Sequence, residues 1–380
     1  MADDDILTEE QSMVRGMVRD FCESEAAPRA AETDAGRFPR ELAGRMAELG
    51  LLGMTVPASE GGGGMDEVSL ALAMEEISAV CPSLSVVFAV QNSLVCAPLH
   101  HYGNGEQKRY ILRPLISGEK LGCFGLSEPS AGSDAAALRT AATRTGGGWR
   151  INGAKRFISN SKEADLCIIF ALTDRELGHK GISAFIADTG ASGFEVGRLE
   201  EKLGLGGSSA CDLRFENLEV GGECLLGEEG QGFEIAMTIL DAGRIEVAAQ
   251  AVGFSRTCLD ASVAYARERE SFGRPIAGHQ PIKWKVADIA TDIDAARLLY
   301  LQAARLKDAG RPFSAEAAMA KVFASDMAQR ATSEAVQIHG GNGYMRDYPV
   351  ERFFRAAKAT QLYEGTNEIL RQLIAKHLLS

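Results

Sequence analysis

The sequence predicts an α+β protein in three parts: a helical N-terminal domain over residues 1–118, a compact β domain over 119–228 and a C-terminal helical bundle over 229–380. Two changes of apolar spacing carry this reading. Up to about Gly118 the apolar residues recur at helical intervals, and from Leu121 they gather into short runs parted by turns. After Gly230 helical spacing returns in much longer segments. A chain of 380 residues, 46% of them hydrophobic and 24% charged, can bury substantial cores of this kind.

The first part opens at Thr8, which with Gln11 forms a capping box ahead of Met13, Val14, Met17, Val18 and Phe21. A second helix follows Phe38-Pro39 and runs through Leu42, Met46 and Leu49 to Gly50. The glycines at 61 to 64 are expected to form a flexible turn. Val68 to Ile77 and Ser83 to Leu99 read as two strongly buried helices. The latter carries Gln91 and Asn92 among apolar neighbours, which suits either satisfied core amides or a substrate pocket.

In the second part the strand candidates are Gly122 to Ser127, Gly148 to Ser159, Ala164 to Thr173, Gly181 to Asp188 and Cys211 to Leu218. Asn152-Gly153, flanked by Trp149, Ile151, Lys155 and Phe157, is a strong hairpin signal. No Gly-x-Gly-x-x-Gly links a strand to a helix start, which counts against a nicotinamide-binding unit. In the third part Phe233 to Arg269, Pro281 to Ala309 and Ser314 to Gly340 are long helices joined by short turns. They suggest a bundle of about four.

Composition excludes several function classes. The net charge of −12 makes nucleic acid an improbable partner, although a local cationic site for a phosphorylated ligand remains compatible with it. No apolar run reaches the length of a membrane span, and Met-Ala-Asp-Asp-Asp is neither signal nor transit sequence, so a cytoplasmic location is expected. The eight cysteines show no Cys-x-x-Cys pair or Cys/His cluster. Neither a disulfide framework nor a metal site is expected.

Chemistry concentrates in Gln361-Leu362-Tyr363-Glu364-Gly365-Thr366-Asn367-Glu368-Ile369-Leu370-Arg371. Gly365 breaks the backbone and Thr366 can cap a helix, placing Glu364 at a loop-to-helix junction. Taken alone, that is a glutamate favoured by a helix dipole. Upstream, Cys123-Phe124-Gly125-Leu126-Ser127-Glu128-Pro129-Ser130-Ala131-Gly132-Ser133-Asp134 is an irregular loop after a strand, either a surface turn or a ligand-facing segment. Together with Phe157-Ile158-Ser159, Asp241-Ala242-Gly243-Arg244, Arg269-Glu270-Ser271-Phe272-Gly273, Gln280 and Gln337-Ile338-His339-Gly340-Gly341-Asn342-Gly343, these segments resemble, in order, the motifs of the acyl-CoA dehydrogenase family. Details such as Lys321 and Tyr348 to Arg352 look most like its short-chain, butyryl-CoA-type members.

The resemblance implies the family's fold, with a β-barrel-like middle domain and a C-terminal four-helix bundle, and FAD-dependent dehydrogenation of an acyl-CoA. It makes Glu364 the base that removes the proton α to the thioester. Such a base must be held against the carbon with its charge little solvated, facing donors for the developing enolate. FAD contacts carried over are Phe124, Leu126, Ser127, Ser133, Phe157, Ile158, Ser159, Arg269, Phe272, Gln280, Gln337, Gly340, Gly341, Thr366 and Glu368. Substrate contacts carried over are Ser133, Asp241, Arg244, Tyr363 and Gly365. Some relatives place the base at the position of Gly243; here that slot is empty. Phe157 stands where relatives often have Trp, and Gly206 where they usually have Arg or Trp. The implied partners are an acyl-CoA, electron transferring flavoprotein and further copies of the chain, as a dimer or a dimer of dimers. A flavin acyl-CoA oxidase and a non-catalytic helical scaffold are the alternatives.

Overall fold

A computed structural model describes residues 6–379; the opening pentapeptide considered above lies outside the described residues. Helix α1 (Glu9–Phe21) starts with the expected capping box. The Gln11 N–H donates to Thr8 Oγ1 at 3.2 Å and the Thr8 N–H to Gln11 Oε1 at 3.0 Å. Then come α2 (Arg40–Glu48), α3 (Glu67–Val80) and the helical run α4 (Pro82–Tyr102). By length and apolarity alone α4 could cross a membrane, contrary to expectation, but 78% of its most apolar window is buried inside the protein. Its apolarity is used by the core.

Gln91 and Asn92 resolve in favour of structure. Gln91 Nε2 donates to the Leu115 and Lys120 carbonyls at 2.9 and 3.2 Å, and its Oε1 accepts from the Gly122 N–H at 3.1 Å. Asn92 Oδ1 accepts from the Met54 N–H at 2.9 Å, while its Nδ2 donates to the Leu51 and Phe88 carbonyls. The two amides thus stitch irregular backbone to α4. The glycines at 61 to 64 are likewise pinned rather than flexible. The N–H groups of Gly62, Gly63 and Gly64 bond the carbonyls of Pro57, Gly53 and Val56, and a side chain at 62 would overlap the Val56 backbone.

The middle part is one sheet of eight strands: β1 (Gly122–Gly125), β2 (Ala141–Arg144), β3 (Gly148–Ser159), β4 (Leu166–Leu172), β5 (Ile182–Asp188), β6 (Phe194–Leu199), β7 (Ala210–Gly221) and β8 (Leu225–Leu226). The order is β6-β7-β3-β2-β4-β5-β8, with β1 parallel to β4. The sheet curls over its own core, so that Trp149 of β3 meets Phe185 of β5 edge-on at 5.3 Å.

The hairpin signal at Asn152-Gly153 is overturned. Strand β3 runs through that pair, and the chain reverses earlier, where the Thr145 N–H bonds the Gly148 carbonyl at 2.9 Å. The pair lies opposite a bulge in β7: between Ile151 and Gly153 the single residue Asn152 faces Glu216 and Asn217. Gly153 has φ +151° and lies tight against Thr140, and Asn152 Oδ1 accepts from the Asn217 N–H at 2.8 Å. The Asn-Gly pair thus braces a bulge in the neighbouring strand.

The last part holds α5 (Gly232–Glu268), a small hairpin of β9 (Glu270–Ser271) and β10 (Arg274–Pro275), then α6 (Gln280–Asp308), α7 (Ser314–His339), α8 (Val350–Thr360) and α9 (Asn367–Leu379). One core joins both helical parts, from Met74 and Ile77 of α3 through Val252 of α5 to Tyr300 of α6 and Ala324 of α7. At its heart Glu75, 3% exposed, is held by Arg256 at 2.9 Å, Arg297 at 2.7 Å and the Tyr300 hydroxyl at 2.6 Å. Burial alone would raise its pKa, but the two guanidiniums win and hold it at about 2, against an ordinary 4.5.

Because the folded pKa is depressed, this contribution to stability is complete above about pH 4.5 and is lost as pH falls toward 2. Glu75→Gln, which takes the carboxylate from Arg256 and Arg297 but leaves them Glu76 and Asp294, is expected to lower the unfolding free energy by about 1–3 kcal/mol at pH 7. Urea unfolding of the two proteins checks this, and the gap between them should close as the pH is lowered through that window.

Candidate active site

The loop between α8 and α9 reverses the chain with two consecutive left-handed residues, Glu364 at φ +52° and Gly365 at φ +93°. A non-glycine residue in that region needs its surroundings to hold it, and here they do. Lys321 of α7, fully buried, donates from Nζ to the Gly365 carbonyl at 2.8 Å and to Asn367 Oδ1 at 2.9 Å. Asn367 Nδ2 donates in turn to Ser325 and Asp326. Helix α9 is capped by Thr366, whose carbonyl takes the Leu370 N–H at 3.0 Å.

That reversal sends the Glu364 carboxylate back onto α5 at Gly243. A side chain there would overlap Glu364 Oε2, so only glycine leaves room for the carboxylate. Oε2 is buried and has no hydrogen-bond partner among the described residues. Burial raises the Glu364 pKa from 4.5 to about 7, against the opposing pull of Arg244 and Lys321. The result is a carboxylate of high proton affinity at neutral pH, which suits a general base.

The neighbours fix this geometry. Arg244, buried, is ion-paired to Asp241 one turn back and reaches the Glu364 carbonyl with Nε at 3.4 Å. The Tyr363 hydroxyl donates to Gln250 Oε1, and Gln250 Nε2 donates to Ser85 Oγ of α4 at 2.7 Å. Loop, α5, α7 and α4 thus meet around Tyr363, Glu364 and Gly365. Gln250, Ser85 and the bracing role of Lys321 were not anticipated; the signal available was a row of polar residues on otherwise apolar α5.

The other expected contacts fall into two groups on different elements. In the first, Phe124 lies in β1, and Leu126 and Ser127 follow that strand. The Arg156 N–H donates to the Ser127 carbonyl at 2.8 Å, which brings this loop beside Phe157, Ile158 and Ser159. Beneath it, buried Lys155 donates to the Leu126 carbonyl at 3.2 Å and to Glu128 at 2.8 Å. Phe157 has φ +60° and is 62% exposed, with the Arg156 guanidinium 4.8 Å above its ring. Ser133 is exposed on the same loop. Gly206 explains itself: a side chain there would strike the Asp34 backbone.

The second group lies where the C-terminal ends of α5 and α7 meet. Tyr265 stacks on His339 at 4.4 Å and accepts from Asn342 at 3.0 Å, and Ile276 packs with Ile338. Arg269, Phe272, Gln280, Gln337, Gly340 and Gly341 are exposed here, Phe272 to 94%. Glu368 is also exposed, in the first turn of α9. No cluster of acidic, His and Cys side chains fit for a metal is present among the described residues.

Three family models match in succession: the acyl-CoA dehydrogenase N-terminal domain over residues 8–119, the middle domain over 123–218 and the C-terminal domain over 230–379. The chain is 50% identical over 376 residues to a Bacillus subtilis protein named acyl-CoA dehydrogenase, covering 98% of this chain and 99% of that one. It superposes on the butyryl-CoA dehydrogenase of Megasphaera elsdenii with a TM-score of 0.96 at 42% identity, each chain covered completely. A chain from the structure described as electron transferring flavoprotein of Acidaminococcus fermentans matches with a TM-score of 0.97 at 47% identity, again with complete coverage.

Three outcomes follow from this geometry. Gly243→Ala should displace the Glu364 carboxylate and lower turnover by about 100-fold while leaving cofactor content unchanged, since ångström-scale misplacement costs that much; stopped-flow and absorbance spectra read the two quantities. In wild type, kcat/KM should rise with pH up to about 7 as Glu364 deprotonates. Lys321→Met removes a nearby positive charge, raises the Glu364 pKa and should move that limb to higher pH.

Proposed function

The chain belongs to the acyl-CoA dehydrogenase family, and on that premise we propose that it converts a short-chain or small branched or cyclic acyl-CoA to the 2-enoyl-CoA and passes the electrons to an electron transferring flavoprotein. Acyl-CoA dehydrogenation and dependence on FAD belong to the family. The acyl group, the electron acceptor, a cytoplasmic location and assembly as a dimer or dimer of dimers are proposed. A short acyl group is supported by the likeness to a butyryl-CoA dehydrogenase.

The observation that carries the reading is the buried Glu364 carboxylate lying on the bare backbone of Gly243. Glu364 Oε2 takes the α-proton; Lys321 and Arg244 hold the loop and oppose the rise in proton affinity that burial causes. The residues present fit FAD. An exposed Phe157 beside Ser127 and Leu126 offers an apolar platform for a flavin ring, and exposed Arg269 with Gly340-Gly341 suits a pyrophosphate, because a guanidinium pairs with it and bare backbone approaches it closely. When bound, FAD supplies the acceptor for the hydride that leaves the β-carbon. The chain's own part is position, exclusion of water and the base.

Anaerobic titration with acyl-CoAs from propionyl to octanoyl, plus isobutyryl, 2-methylbutyryl and cyclohexanecarbonyl, should bleach the flavin of the wild-type protein with the short or small acyl groups. Glu364→Gln should bind FAD and acyl-CoA without bleaching. Normal bleaching by that variant, or rates that peak with long chains, would overturn the base assignment or the substrate class respectively.

A further inference from the structure

Position 246 of α5 holds a glutamate that the reaction described above does not use. Residues 243, 246 and 250 share one face of the helix, at intervals of three and four. Gly243 carries the Glu364 carboxylate and Gln250 bonds Tyr363, so Glu246 lies between them under the same loop. It is 1% exposed. Ser93 of α4 faces it, and the Ser93 hydroxyl donates to Glu246 Oε1. Glu246 Oε2 is buried and has no hydrogen-bond partner among the described residues.

The charges around it decide its ionisation. Burial, with the Glu67 and Glu364 carboxylates, raises its pKa well above 4.5, while Ser93 and Lys307 oppose the rise. Lys307 is itself paired to Glu67 at 2.6 Å. These surroundings favour the protonated form of Glu246. In that form, with Oε1 accepting from Ser93, the unpartnered Oε2 is a buried donor without an acceptor.

We infer that Glu246 is a specificity-determining residue on the α5 face that carries Gly243 and Gln250, reading an oxygen acceptor on the acyl chain of the substrate. The class is a short acyl-CoA with a neutral hydroxyl or carbonyl oxygen beyond the carbons that react. Adjacent residues on one helix face stand roughly 5–6 Å apart, which sets that oxygen at carbon four or five if the α-carbon lies at Glu364. A plain hydrocarbon tail leaves the Oε2 proton unmatched, and a site built to hydrogen-bond an oxygen rejects the analogue that lacks it. This inference rests on the acyl-CoA dehydrogenase reading and narrows its substrate.

The test compares kcat/KM for matched pairs, 4-hydroxybutyryl-CoA with butyryl-CoA and 5-hydroxypentanoyl-CoA with pentanoyl-CoA, in wild type, Glu246→Gln and Glu246→Met. Wild type should favour the hydroxylated member of at least one pair by about 10- to 100-fold. Glu246→Gln keeps an N–H donor and should retain most of that preference; Glu246→Met, apolar and similar in volume, should abolish or invert it. Dissociation constants for the same pairs, read from the flavin spectrum in a Glu364→Gln background, should show the same ratio without turnover. A wild-type enzyme that favours butyryl-CoA and pentanoyl-CoA, or a ratio unmoved by Glu246→Met, overturns the inference and leaves the dehydrogenase reading standing. Should Glu246→Met not fold, the wild-type ratio and the Gln variant decide. Failure of every acyl-CoA to reduce the flavin would overturn both.

Discussion

The contact between the Glu364 carboxylate and the bare backbone of Gly243 is the constraint on which the site depends. It requires a helix whose surface lacks one side chain and a loop that turns sharply enough to send a carboxylate into the gap. Both requirements are costly in isolation. A glycine weakens the middle of a 37-residue helix, and a left-handed glutamate is strained. The surrounding core offsets these costs: Lys321 of α7 and Asn367 of α9 clamp the loop, and Gln250 with Ser85 anchors Tyr363 from α5 and α4.

The same packing sets the electrostatics. The elements that position Glu364 leave the residue half-buried but take Oε2 wholly out of solvent, so burial and orientation come from one set of contacts, and Arg244 and Lys321 temper a shift that burial alone would make larger. Lys321 pays in its own proton affinity: burial lowers its pKa to about 8, with Glu364 pulling the other way. The Glu75 cluster shows the opposite balance within the same helical core, since there two guanidiniums outweigh burial and the carboxylate stays ionised. One core thus holds one carboxylate poised near neutrality and another fully charged, and the difference lies in where their two cations bond: Arg256 and Arg297 pair the Glu75 carboxylate itself, whereas Arg244 and Lys321 bond the backbone of the Glu364 loop.

Much of this was legible in the sequence. Capping at Thr8, the long apolar periodicities of α5 to α7 and the short runs of β3 to β5 follow local rules, and those elements stand where the spacing put them. The junction at Glu364 was legible because Gly365 and Thr366 announce a break and a cap. What was hidden depends on contacts distant in sequence. Asn152-Gly153 reads as a turn because nothing local reveals Thr140 and Asn217 waiting to hold a bulge. The glycines at 61 to 64 read as loose because their partners, Gly53 and Val56, are known only from the fold. Strands β2, β6 and β8 are short or amphipathic, and carry little periodicity of their own. Gly206 departs from a pattern for a reason only packing on Asp34 shows.

The most direct test of the account is the protonation of Glu364 itself, followed by infrared difference spectroscopy of the carboxylic C=O band as pH is varied, with Glu364→Gln as the reference that lacks it. A Glu364 whose pKa burial raises to about 7 gives a band unique to wild type that is present at pH 6, half lost near pH 7 and largely gone above pH 8. A Glu364 that ionises near the ordinary 4.5 would contradict it, because the carboxylate would then be a solvated charge at a helix start rather than a buried base.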